Sequence, residues 1–89
     1  LKSYESARTA LTQYVMLAPN EFGPRRVLAT VLLEQRDFRD AVKVLEDTIE
    51  RFGDHPEILT MLGSAYEGVG KNNRAEAVLK RAAELRAGD

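Results

Sequence analysis

The stretch Leu62-Gly63-Ser64-Ala65-Tyr66, followed by Gly70, Ala75, Leu79 and Ala82, decides how this chain folds. Moved back by 34 positions, Leu62 falls on Leu28, Gly63 on Ala29, Tyr66 on Leu32, Ala75 on Ala41 and Leu79 on Leu45, without a gap. A second step of 34 puts Ala41 on Ala7, Leu45 on Leu11 and Phe38 on Tyr4, so the segment before Asn20 reads as the second half of an earlier unit. A fixed period of this length belongs to helical solenoids, in which each unit buries its apolar face only against its neighbours.

Counted from Pro56, the unit resembles a tetratricopeptide repeat. Leu59, Leu62, Gly63 and Tyr66 stand where that family places a bulky apolar residue, Leu, Gly or Ala, and an aromatic. Gly70 stands at its turn, and Ala75, Leu79 and Ala82 on its second helix. The unit starting at Phe22 departs from the pattern with Arg25 at the bulky apolar position, Arg36 at the turn in place of Gly, and Thr48 for the last Ala. The resemblance implies an all-α, right-handed superhelix of five antiparallel helices, about two and a half repeats. It forms one domain over residues 1–89, divided as a partial repeat at 1–21 and full repeats at 22–55 and 56–89. The cadence Ala-Val-x-Val-Leu-Glu at 41–46, after Asp37-Phe38, is similar to bacterial members of the family associated with envelope export and exopolysaccharide systems.

With 89 residues the chain has room for one domain that buries only about 60–65% of its unfolded surface. Thirteen basic residues against fourteen acidic ones, with neither sign in a long run, argue against a nucleic-acid surface. The absence of cysteine excludes a disulfide framework and a thiolate metal site, and leaves cytoplasm and bacterial periplasm or envelope both open. The longest uncharged run, Thr9 to Asn20, is too short and too polar to span a bilayer. No signal peptide is visible and the first residue is Leu1, so the expectation is a fragment of a longer protein.

Apolar residues at three- and four-residue steps, Tyr4, Ala7, Leu11, Tyr14, Val15 and Ala18, predict a leading helix over Lys2 to Ala18. Pro19-Asn20 ends it, with Asn20 expected to cap a second helix over Phe22 to Gln35 whose first turn holds Pro24. Asp37 and Asp40 read as a capping pair for a third helix reaching Phe52, with Gly53 as its left-handed stop. Asp54 and Glu57 repeat the start signal for a fourth helix to about Glu67, and Asn73 with Glu76 opens a fifth that ends near Gly88. Short connections make successive helices antiparallel neighbours.

No constellation for catalysis assembles. Gly68-Val69-Gly70-Lys71 lacks the Gly and the Ser or Thr that a phosphate loop needs at Ala65 and Asn72, and it follows a helix rather than a strand. His55, the single imidazole, lies in an inter-repeat turn and reads as an exposed loop residue. The carboxylates at helix starts fit capping and the helix dipole better than metal ligation. We therefore expect no catalytic residues, no metal and no cofactor. Tyr4, Phe38, Phe52 and Tyr66 read as packing residues. Lys43, Asp47 and Arg51, or Glu76 and Lys80, spaced four apart, read as a solvated outer face.

The expected function is a protein-interaction scaffold. Opposite the core stripe of the fourth helix lie Glu57, Thr60, Ser64 and Glu67, with Met61 at the edge. On the second helix the matching positions are Gly23, Arg26, Thr30, Leu33 and Glu34, with Val27 at the edge. By resemblance these stripes line a concave groove. Family members that clamp a C-terminal carboxylate use Lys and Asn there; with Thr30 and Ser64 at the asparagine-type site, no such clamp is expected. Arg26 is the one cation against Glu34, Glu57 and Glu67, which points to a protein or peptide partner of mixed apolar and basic character, not a small-molecule substrate.

Beside the core stripe the third helix carries Val42, Ile49 and Phe52, whereas the fifth carries Glu76, Ala83 and Arg86, which suggests an array end near the fifth helix. The leading helix lacks a first helix of its own in this chain, so Tyr4, Leu11 and Tyr14 are expected to be partly uncovered. A second copy could cover them and make a homodimer.

Overall fold

The computed structural model describes residues 2–88; Leu1 and Asp89, at the ends of the expected domain, lie outside the described residues. Five helices follow one another: α1 (Lys2–Leu17), α2 (Phe22–Glu34), α3 (Phe38–Phe52), α4 (Pro56–Gly68) and α5 (Asn72–Ala87). Each packs on the next in sequence, and α2 also touches α4. The backbones of α3 and α5 do not approach each other. First helices crowded together and second helices spread apart give the array its curvature, with α2 and α4 on the inner side.

The core is the repeat register made physical. Leu28, Ala29, Leu32, Ala41 and Leu45 are buried, as are Leu62, Ala65, Tyr66 and Ala75. Leu11 and Val15 of α1 pack against them from the N-terminal side. The two departures from the family pattern sit inside as well. Arg25 is 3% exposed, the same as Leu59 one period later, and Thr48 is 1% exposed, the same as Ala82. Burying these polar groups requires partners. Arg25 donates through Nε to the Pro19 carbonyl at 3.1 Å and through Nη1 to Asp47, and its Cζ lies 5.9 Å from the Phe52 ring centroid. The Thr48 hydroxyl donates to the Val44 carbonyl at 2.7 Å, one turn back on its own helix.

The expected side-chain caps are not formed. The residues preceding α2 to α5 are Glu21, Asp37, His55 and Lys71, and none makes a side-chain cap bond. Thus Asn20 and Asp54 are one residue too early, and Asn73 already lies within α5. The carboxylates are used between helices instead. Arg8 of α1 pairs with Asp37 at 2.8 Å and with Asp40, and Arg81 of α5 donates through Nε to Asp54 at 2.9 Å. A guanidinium offers several charge-assisted donors and ties separate helices together, whereas a cap serves one backbone N–H. Gly53 ends α3 with φ +83°, but its ψ of −178° is extended rather than left-handed helical. The helix ends of α1 and α2 fall one residue before the expected Ala18 and Gln35, and α4 runs one beyond Glu67.

The turns after α2 and α4 share one geometry. Asp37 N–H bonds the Leu32 carbonyl and Arg36 N–H the Leu33 carbonyl; Lys71 and Gly70 repeat this with Tyr66 and Glu67. This is the paired closure of a Schellman turn, which needs a left-handed residue one position before its end. Gly70 supplies it at φ +82° and Arg36, in the same register, at φ +61°.

Candidate functional site

The inner face of α2 and α4 is where the sequence-selected groove residues meet. Arg26, Thr30 and Glu34 of α2 are exposed, as are Glu57, Ser64 and Glu67 of α4; Leu33, Thr60 and Met61 are half-buried. The helical stripe positions them in a row, because residues three and four apart share a face. The stripe is interrupted by one link: Arg26 Nη1 lies 3.3 Å from Glu57 Oε2, bridging the two helices. The one cation of the groove is thereby engaged, and Glu34 and Glu67 have no basic partner within ion-pair distance among the described residues. Thr30 and Thr60 turn their hydroxyls onto their own helices, to the Arg26 carbonyl at 3.0 Å and the Pro56 carbonyl at 2.9 Å. Their oxygen lone pairs remain able to accept, and Leu33 and Met61 provide an apolar floor continuous with the core.

On α1, Tyr4 and Tyr14 are exposed and Leu11 is half-buried against the core. Tyr14 stands in the register of Thr48 and Ala82 yet is 49% exposed. Its hydroxyl donates to Glu21 at 3.1 Å, which raises its pKa, first through that hydrogen bond and then through the carboxylate's charge. Beside it Met16 and Leu17 are 75% and 87% exposed, an apolar pair that core spacing does not single out because neither falls on the core stripe.

Among the described residues no group of three or more His, Cys, Asp or Glu gathers as a metal site, and no helix is long and apolar enough to cross a membrane. His55 is exposed, its ring 5.0 Å from that of Phe22. Tyr66 is buried and donates its hydroxyl to Glu46 of α3; burial and then this contact raise its pKa. Two features are not evident from the sequence pattern. One is the buried Arg25, visible only as a breach of the family pattern. The other is a cationic cleft between α3 and α5, formed by residues of different repeats.

Five antiparallel helices in a 34-residue register, curved with their first helices inside, define a helical-repeat scaffold protein. A family model for the tetratricopeptide repeat matches residues 26–89, and the chain belongs to that family. No curated protein matches the chain. Among solved structures, MamA AMB-1 superposes with a TM-score of 0.92 at 22% identity, over 99% of this chain and 48% of that one. The chain thus spans about half the length of that protein, and the likeness establishes the fold: an all-α, right-handed solenoid of about two and a half repeats. Proteins of this family and fold are typically non-catalytic scaffolds for protein–protein interaction.

Proposed function

We propose that this chain is a non-enzymatic interaction module whose α2–α4 face receives a peptide or protein segment of mixed apolar and basic character. The observation that carries the reading is the Arg26–Glu57 link at 3.3 Å. With Arg26 engaged, Glu34 and Glu67 give the groove an acidic character, and Leu33 and Met61 offer apolar contact between them. Arg26, Thr30, Leu33, Glu34, Glu57, Thr60, Met61, Ser64 and Glu67 are the proposed contact residues. A solenoid groove of this kind binds by shape and a few placed polar groups, with no bond made or broken. The test is fluorescence anisotropy with a panel of labelled peptides alternating Lys or Arg with Leu. Alanine at Glu34 and Glu67 should weaken binding several-fold at unchanged helicity; equal binding by the variant would remove the groove from consideration.

A second reading is supported by the exposure of Tyr4 and Tyr14 on α1 together with Met16 and Leu17. In it a second copy covers α1 and the chain dimerises through Tyr4, Leu11 and Tyr14. Burying large apolar side chains is favourable by about 1.5–3 kcal/mol each, enough to drive association when several are involved. Light scattering over a concentration series distinguishes the two, since serine at Tyr4 and Tyr14 should abolish any dimer while leaving peptide binding in the groove unchanged.

A further inference from the structure

The side of the molecule away from the groove carries a cleft of about 480 Å³. It exists because α3 and α5 each pack on α4 but diverge from one another. Its walls are Arg39 and Lys43 on α3, Lys71 in the α4–α5 turn and Arg74 on α5, and its apolar lining is Val42 and Val69. None of the four cations has a carboxylate within ion-pair distance among the described residues, whereas Arg8, Arg25, Arg26, Arg51 and Arg81 all do. The one acid of the cleft, Glu46, accepts the Tyr66 hydroxyl. Four cations without a carboxylate partner thus face one carboxylate on a chain whose net charge is −1, and of the four Arg74 also reaches the Tyr66 hydroxyl.

We propose that this cleft is a second docking site, for an acidic peptide segment that inserts one apolar side chain between Val42 and Val69. Charge complementarity argues for the occupant. Like charges gathered on two helices and a turn repel one another, and an anionic partner relieves that repulsion. The apolar lining gives the site something to recognise besides charge, and the volume suits a few side chains. A nucleic acid fits less well, because no aromatic ring lines the cleft to stack a base and the cations form a cluster rather than a track. The site is independent of the α2–α4 groove, since the two share no residue.

The experiment uses a fluorescein-labelled peptide with a central leucine flanked on each side by three glutamates, titrated with the whole chain and read by anisotropy. Saturable binding is expected, weakening on adding salt and when the leucine becomes serine. Lys43→Glu with Arg74→Glu should weaken it by at least about tenfold, whereas Lys80→Glu with Arg86→Glu, equal in net charge change but outside the cleft, should change it by less than about twofold. Lys43→Gln with Arg74→Gln serves as the milder pair if the reversal lowers helicity, and should also weaken binding. No saturable binding, equal losses from the two reversals, or displacement of the peptide by a lower concentration of a single-stranded RNA oligonucleotide would each overturn the proposal.

Discussion

The guanidinium of Arg25 on α2 is buried and donates through Nη1 to the half-exposed carboxylate of Asp47 on α3, which also accepts from Arg51 Nε at 3.2 Å. Arg25 holds the position of the apolar Leu59 in the next repeat. Removing one partner of a buried pair leaves a charge without compensation, while replacing the buried ion by an apolar side chain is often neutral. Asp47→Ala should therefore destabilise the chain by about 1–2 kcal/mol, a modest loss for such a pair because Asp47 is itself half in water. Arg25→Leu, copying the later repeat, should cost less than about 1 kcal/mol. Urea denaturation followed by circular dichroism gives both numbers, and the order reversed would show that Arg25 is held by its packing on Phe52 rather than by its ion pair.

The same contact has a pH signature. The hydrogen bond from Arg25 holds the Asp47 carboxyl below its usual pKa, against the smaller opposing effect of partial burial, with the charges of Arg25 and Arg51 adding to the lowering. A group whose folded pKa is depressed stabilises the fold above its unfolded pKa, and that contribution is lost as pH falls through the folded value. The stability difference between the native chain and Asp47→Asn should thus be full at pH 7 and shrink below about pH 4. Urea midpoints at pH 7, 5 and 3 test it; a difference that stays constant would mean the carboxylate charge is not what Arg25 requires.

Arg36 and Gly70, one period apart, close the same turn with positive φ. A side chain in the left-handed region costs about 1–2 kcal/mol, offset in part at Arg36 by its guanidinium lying 5.5 Å from the Phe38 ring. Arg36→Gly should consequently stabilise by no more than about 1 kcal/mol, since glycine also gains freedom in the unfolded chain. At Gly70 an added Cβ would meet nothing within 4 Å, so Gly70→Ala isolates the backbone cost and should destabilise by about 1 kcal/mol. Opposite signs for the two substitutions are the expected result.

These turns also show what the sequence made legible. The register that placed Leu28, Leu32, Leu45 and Leu62 in the core is local and periodic, so it survives translation into structure. The acids at helix starts were misread because a cap and an inter-helix ion pair use the same residue types, and only packing brings Arg8 to Asp37 or Arg81 to Asp54. Lys43, Asp47 and Arg51 looked like one solvated ladder, yet Asp47 is drawn to a guanidinium on another helix. The groove stripe was readable as a face, but the engagement of Arg26 by Glu57 was not, since it depends on how closely α2 and α4 stack. The cationic cleft was invisible for the same reason: Arg39 and Lys43 belong to one repeat and Lys71 and Arg74 to the next.

Gly68 offers the sharpest test of how repeats lock together. It is the last residue of α4, and a Cβ built there would lie 2.2 Å from Cγ of Phe38, the residue that opens α3. The absent side chain is what lets the Phe38 ring lie flat against the end of α4, linking one repeat's second helix to the next repeat's first. Glu34 occupies the matching position on α2, so the close approach is particular to this pair and not a property of the repeat. Gly68→Ala gains helix propensity of about 1 kcal/mol but forces an aromatic ring to move, an overpacking that costs about 1–3 kcal/mol. A net loss of stability is expected, and it should vanish when Phe38 is also cut to alanine, because the clash then has no second partner. A double-mutant cycle by urea denaturation should return a coupling of about 1–2 kcal/mol between the two positions. Additive effects would mean that α4 ends against Phe38 loosely, and that the α3–α4 packing is held instead by the Tyr66–Glu46 bond.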